Sequence, residues 1–425
     1  MQRTNNFIAG LMFLLLIIGA SENTIASHSQ DSTAYQPIQG KIVDIRTGNP
    51  IIFANIYLAG TNIGTVSNSE GNFLVKIPFF IDNKTIIISS IGYKNIEFSI
   101  GDLDTENNYI ELEPNPIPIE EVTIINMDAR ELLVQALRKI PDNYSNKPVM
   151  VTSFYRETIK QNRNYVAVSE AVLDVYKSSY TRIADMDRVI IFKGRKSTDV
   201  KKMDTVLVKL QGGPRTMFIL DIVKNPIELL DEESMGYYIY HMGGIVNIDD
   251  RQAYVVEFTQ LDHIEFPLYT GKFYISADDF GIIGTEFRIS QSKLDDASQY
   301  LVRKKPAGMQ IDILNASYLV NYRFNDGKWY LNHVRTELIL SIRWKKKLFR
   351  STYIATSEMA VTDIDPENIT KFKFRESARR DDIFIEKVGD FEDPDFWGEY
   401  NIIQPEESIM LAIERIGRKL KRRER

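Results

Sequence analysis

The residues best suited to chemistry are few and scattered. The four histidines, His28, His241, His263 and His333, include no His-x-x-Glu pair of the kind that places a zinc ion in a hydrolase. The chain of 425 residues has no cysteine, which removes thiolate metal sites, cysteine nucleophiles and disulfides together. A serine nucleophile would sit on a Gly-x-Ser-x-Gly elbow, and none occurs. Gly212-Gly213 and Gly243-Gly244 are isolated pairs outside any phosphate-binding context. Adjacent acids do recur, at Asp249-Asp250, Asp278-Asp279 and Asp381-Asp382. All three pairs sit in turn-like sequence, where neighbouring side chains point apart and solvation accounts for them. No catalytic, cofactor-binding or metal-binding residue is therefore assigned, and the expectation is a non-enzymatic protein. Glycosidase-type carboxylates can lie far apart in sequence, so a hydrolase stays open at this point.

Charge and length narrow the partners. Lys and Arg number 52 against 58 Asp and Glu, a net charge of -6, which argues against nucleic acid, since binding phosphates needs a net basic face. The exception is 415–425, with seven basic residues and one Glu, which suits either a solvated terminus or contact with an anionic membrane surface. Residues 1–26 read as a signal peptide: Arg3, then an apolar run from Phe7 to Ala20, then the small residues around Ala26. A run of that length is short for a membrane span. The expected location is the exported space of a Gram-negative envelope, in the periplasm or at the outer membrane.

Those sparse groups must be held by the elements around them, and the pattern is mainly β. Over 37–113, short apolar runs alternate with turn signals such as Thr47-Gly48-Asn49-Pro50 and Ser67-Asn68-Ser69-Glu70-Gly71, giving six or seven strands and predicting a small β-sandwich. Gly40, Thr47-Gly48-x-Pro50, Ala54-Asn55, Gly60-Thr61, Gly64-Thr65, Glu70-Gly71-x-Phe73 and Ile91-Gly92-Tyr93 resemble the carboxypeptidase-regulatory-like domain that opens many Bacteroidota cell-envelope proteins. That resemblance implies a prealbumin-like sandwich with no peptidase chemistry of its own. Asn68 departs from it where the family usually has Asp, which favours an Asx-type turn over a calcium ligand. Pro114, Pro116 and Pro118 mark 114–120 as a linker. Only about 300 residues follow, too few for the 22-stranded barrel that such a sandwich precedes in transporters.

The remainder, 121–425, reads as one α+β domain. Asp128 with Glu131 starts an amphipathic helix over 128–140, and a second runs over 405–420. Between them, strands are predicted at 149–160, 164–177, 187–195, 236–247, 251–260, 271–277, 281–290, 309–324, 328–342 and 348–362, joined as sequential hairpins into a large curved antiparallel sheet, a half-barrel covered by helices. The segment 271–290 is similar to the central hairpin of lipoprotein-carrier-like proteins, which implies a face that holds acyl chains. Strand alternation puts Tyr254, Val256, Phe258, Phe273, Ile275, Ile283, Phe287, Ile289, Tyr318 and Tyr322 on one apolar face, the candidate ligand face, as either a filled core or a cavity. Glu257, Lys272, Glu286, Arg288, Asn321 and Arg323 fall on the opposite, wet face. The leading expectation is an exported envelope protein that holds a lipid or other hydrophobic ligand. The alternative is a protein-interaction or carbohydrate-binding accessory to an outer-membrane transport complex.

Overall fold

The computed structural model describes residues 35–81, 85–116, 128–182, 184–198, 213–226, 229–301, 308–345, 349–390 and 396–421. The predicted signal peptide, residues 117–120 of the predicted linker and the last four residues of the basic tail lie outside them. The fold is mainly β, as expected. The sandwich consists of β1 (Tyr35–Asp44), β2 (Asn55–Leu58), β3 (Gly64–Val66), β4 (Asn72–Pro78), β5 (Thr85–Ser89), β6 (Ile96–Ser99) and β7 (Asn108–Leu112). One sheet runs β4-β1-β7 and the other β3-β2-β5-β6. Alternate residues point inward, so Ile38, Ile42, Ile56, Phe73, Val75, Ile86, Ile88 and Leu112 close a core of their own. Gly71 takes φ +77° where an added Cβ would stand 2.6 Å from the Ile42 carbonyl, so the Glu70-Gly71 turn admits no larger residue.

Asn68 makes the Asx-type turn, its Oδ1 accepting from the N–H groups of Glu70 and Asn72 at 2.9 Å each. Its Nδ2 donates to the Gln404 carbonyl at 3.0 Å. An aspartate could make the turn but not that donation, which gives the departure from the family pattern a physical reason.

Past the linker come α1 (Ala129–Arg138), capped by Asp128, and the short α2 (Ile140–Asn143). The helix predicted over 128–140 thus ends at Arg138, and Pro141 sits in the first turn of a separate short helix that follows it. The sheet comprises β8 (Val149–Gln161), β9 (Asn164–Lys177), β10 (Arg188–Thr198), β11 (Tyr238–Ile248), β12 (Arg251–Gln260), β13 (Tyr269–Ser276), β14 (Ile282–Ile289), β15 (Met309–Asn325), β16 (Lys328–Trp344), β17 (Ser351–Asp365) and the two-residue β18 (Gly389–Asp390). Helices α3 (Gly213–Ile219), α4 (Leu294–Leu301) and α5 (Glu407–Lys421) complete it. The turns form where turn chemistry was read: Asp249 and Asp250 both adopt positive φ, as do Asp326 and Gly327.

The strand order, β11-β12-β13-β14-β15-β16-β17-β8-β9-β10-β18, departs from a purely sequential meander. β17 pairs with β8, so β10 and β11 lie far apart in the sheet. Of the described residues between them, Met217, Phe218, Ile222, Val223, Leu229, Leu230 and Met235 are buried against the apolar face of the sheet. Alternation within strands cannot reveal this, because it reports faces and not neighbours.

These residues are anchored by a buried polar network. Asp221, fully buried, accepts hydrogen bonds from the hydroxyls of Tyr322 at 2.7 Å and Tyr180 at 2.9 Å, and pairs with Lys177 at 2.8 Å. Lys177 also holds Asp187 at 2.7 Å. Every member is satisfied, the condition under which buried charge specifies a packing. Replacing Asp221 by Ala should cost about 3 kcal/mol, since it strands two hydroxyls and half the partners of a buried ammonium. Tyr322→Phe should cost only about 1 kcal/mol. Urea unfolding at pH 7 measures both, and equal effects would show that Asp221 is not the centre of the network.

Candidate functional site

The side of the large sheet away from this core is organised by one row of residues. Following the register strand by strand, His241, Glu257, Lys272, Glu286, Leu319, Arg335, Glu358, Arg156, Glu170 and Arg195 stand opposite one another across ten strands. Apart from Leu319 and the end at His241, acid alternates with base. Cross-strand neighbours on one face lie close enough for each opposite-charge step to be favourable. The ion pairs follow: Glu257–Lys272 at 3.6 Å, Arg335–Glu358 at 3.3 Å, Arg156–Glu170 at 2.8 Å and Arg195–Glu170 at 3.2 Å.

The two halves of the row have different environments. Over β17, β8, β9 and β10, the segment 396–406 lies on top of it. Trp397, Ile402 and Ile403 pack against Phe154, Val172 and Ala360, and Arg156 donates to the Ile403 carbonyl at 2.6 Å. Arg195 stacks over Trp397, 4.8 Å from the ring centroid. Here Arg156, Glu170 and Glu358 are buried. Burial alone would raise the Glu358 carboxyl, but the His333 contact at 3.4 Å and the nearby Arg335 and Arg156 outweigh it and bring it down to about 2.

Over β12 to β16 the row is uncovered and becomes the floor of a trough of about 910 Å³. The far wall is the sandwich: Pro50 to Phe53, Asn55, Ser89 to Ile91 and Tyr93. Polar contacts lock the two walls at this spacing. The Tyr57 hydroxyl donates to Asp249 at 2.8 Å, Asn332 Nδ2 to Asn55 at 2.7 Å, the Gly92 N–H to the Asn247 carbonyl at 2.7 Å, and Arg323 to the Asn62 carbonyl at 2.9 Å. Pro114 bridges to Tyr93 and the Asn115 N–H donates to the Gly92 carbonyl, so the described start of the linker is pinned to the sandwich. Sandwich and sheet form one compact unit within Ala34–Arg425.

Phe53 is the unusual element of the wall. It holds φ +57°, a left-handed conformation uncommon and costly for a bulky residue. Its ring lies 5.2 Å from that of His333 and beneath the Arg335 guanidinium at 5.0 Å. Three acids (Glu257, Glu286, Glu337) and three bases (Lys272, Arg288, Arg335) line the trough. Each of these carboxylates has a partner, since Tyr274 donates to Glu286 at 2.7 Å, Lys272 pairs with Glu257, and Arg335 with Glu337 at 3.4 Å. Ser89 Oγ and Asn321 Oδ1 are buried atoms at the trough without a hydrogen-bond partner. No group of three or more metal-ligating side chains occurs among the described residues.

The ten residues of the predicted ligand face are placed as follows. Val256, Phe258, Phe273, Ile275, Ile283, Phe287, Ile289 and Tyr322 are buried, while Tyr254 and Tyr318 are partly buried against the same core. Phe258 stacks on Phe273 and Phe287 on Tyr318, each at 4.8 Å. That face is a packed core. Phe258, Ile283, Phe287, Tyr318 and Tyr322 also border the trough, where alternation leaves Phe258, Phe287 and Tyr318 to contribute main chain to the floor. Of the predicted wet face, Glu257, Lys272, Glu286, Arg288 and Asn321 line the trough, and Arg323 is buried under the sandwich. Arg335 and Glu337 were accessible to the same alternation on β16. Phe53 and Ser89 carry no sequence signal of their own.

Comparison with known proteins adds one specific match. The model of the CarboxypepD_reg-like domain family matches residues 38–124, which cover the sandwich. A search of curated proteins finds no match. Among solved structures, an outer-membrane lipoprotein-sorting-type domain from Vibrio parahaemolyticus is similar at 9% identity over 57% of this chain and 95% of its own, with a TM-score of 0.26. A DUF1329 family protein from Desulfovibrio piger gives the same values. Likenesses this loose carry no weight in assigning a ligand.

The charged row makes a pH prediction. An unfolded glutamate titrates near 4.5 and Glu358 in the fold near 2, so its contribution is complete above pH 4.5 and is lost as the pH falls toward 2. That difference corresponds to about 3 kcal/mol. Glu358→Gln should therefore be less stable at pH 7 and lose less stability than the parent between pH 4.5 and 2. Denaturant midpoints across that window test it, and parallel profiles would refute the assignment.

Proposed function

We propose that this protein is a non-enzymatic binding protein of the cell envelope, and that its ligand site is the trough between the sandwich and the uncovered half of the sheet. One observation carries the reading: an open space of about 910 Å³ lies on the polar face, while the apolar face opposite is packed. The volume falls within the range of small-molecule and cofactor sites.

The lining suits a neutral, hydroxyl-rich ligand such as a stretch of oligosaccharide. Three acids and three bases supply many donors and acceptors with no net field, so an anion or a cation would meet as many like charges as opposite ones. Phe53 and Tyr93, both partly exposed on the sandwich wall, offer rings against which the apolar face of a sugar can rest. The rigid polar docking of sandwich on sheet keeps the cleft preformed, which lowers the entropic cost of binding. Export, with a location in the periplasm or at the outer membrane, rests on the leader-like residues 1–26.

A lipid or other hydrophobic ligand on the apolar face is the second reading. What favours it is the aromatic run Phe258, Phe273, Phe287 and Tyr318, ended by partly exposed tyrosines. It requires the residues buried against that face, among them Met217, Phe218, Leu229 and Leu230, to move aside. Service as an accessory to an outer-membrane protein complex would use the outer surface of the sandwich and leave both faces as they are.

Glycan-array screening followed by titration calorimetry of the best hit tests the trough. Glu286→Ala and Lys272→Ala, both at solvent-facing positions, should each weaken binding about tenfold, the loss of one charge-assisted hydrogen bond. Unchanged affinity in both variants would remove the trough as the site. Native mass spectrometry with organic extraction addresses the second reading, because a discrete co-purifying lipid mass would favour the apolar face.

A further inference from the structure

One end of the large sheet combines exposed aromatic surface with clustered positive charge. Phe349, in the connection from β16 to β17, is 83% exposed, more than any other large apolar side chain among the described residues. A single exposed phenylalanine is ordinary on a protein surface, and it is the cations clustered around this one that give its exposure a use. Arg343, Lys345 and Arg350 flank it, all exposed.

The topology brings further charge to the same end. The β8–β9 turn is tied to the start of β17 by the Asn162 N–H donating to the Thr352 carbonyl at 2.7 Å, and by the Thr352 N–H donating to Asn162 Oδ1 at 3.0 Å. That turn presents Arg163, with Lys160 just before it. The C-terminal helix α5 arrives beside it, where Arg415 donates to Asn164 Oδ1 at 2.9 Å and to the Tyr165 carbonyl at 2.8 Å. The acids nearby are Asp312, which pairs with Arg350, then Asp295 and Asp296 on α4 and Glu414 on α5. Cations therefore exceed acids at this end, in a chain whose net charge is -6.

We propose that this end of the sheet is a contact surface for an anionic lipid bilayer, with Phe349 entering the headgroup region and the surrounding Lys and Arg residues held against lipid phosphates. An aromatic tip ringed by cations matches an interface that is negative at its surface and apolar just beneath. A soluble polyanion would use the charges and have no use for the ring. The trough is bounded by a different part of the chain, so the two proposals stand or fall separately.

Flotation of the full chain with vesicles of phosphatidylcholine alone, and of phosphatidylcholine with an equal part of phosphatidylglycerol, tests this. Binding is expected to the mixed vesicles only and to fall with added salt. The pair Arg343→Gln with Lys345→Gln should weaken it by about fivefold per charge removed. Phe349→Ser should weaken it several-fold while leaving the urea midpoint unchanged, since the side chain is exposed. Binding that ignores lipid charge, or persists in both variants, would place the contact elsewhere, including the apolar residues 7–20, and overturn the proposal. Equal binding to heparin, insensitive to Phe349→Ser, would overturn it in favour of a polyanion site.

Discussion

The cross-sheet row of alternating acids and bases is the constraint from which most of this molecule follows. A strand shifted by one residue would send its charged member to the opposite face, into the packed core, and bring an apolar residue into the row. Register is thus enforced on both faces at once: apolar side chains must meet on one, and opposite charges must meet on the other. The row also divides the polar face. Where the segment 396–406 covers it, the charges are buried, paired and structural. Where no described segment covers it, the same pattern becomes a mixed-charge floor open to a ligand.

The sandwich is held to the sheet by means different from those that hold either together. Each has its own apolar core, and between them run side-chain amides, hydroxyls and main-chain groups such as Asn55–Asn332, Tyr57–Asp249 and Gly92–Asn247. Directional bonds set an orientation more sharply than apolar contact does, and the width of a cleft depends on orientation. The strained Phe53 fits this picture. Its left-handed backbone turns the ring onto His333 and Arg335, so the sandwich ends at the row itself.

Much of the architecture was legible in the sequence because it was written in short-range terms. Strand limits at β9 and β12 coincide with the alternating runs, and Asp249-Asp250 and Asp326-Gly327 turn where their chemistry requires. The division of residues between faces was equally readable, down to Glu257, Lys272 and Glu286 on the wet side. What it could not supply was which face would be covered. That depends on 213–226 and 229–238 lying on one side and 396–406 on the other, and none of these segments announces its destination by periodicity. Phe53 was invisible for a similar reason, since its position depends on a backbone conformation that its residue type disfavours.

The pairing of β17 with β8 decides when the sheet can close as the chain is made. Thr362 bonds the main chain of Thr152, 210 residues earlier, so the middle of the sheet joins its first strand to its last long one. Until residues 351–365 have emerged, β8 has an open edge and β16 another, and the charged row is cut at its centre. Non-local closure of this kind is slow. A chain made N-terminus first would carry two unpaired half-sheets until those residues appear. Arg156 on β8 and Arg335 on β16 would then stand on those two open edges as like charges and discourage them from pairing with another copy.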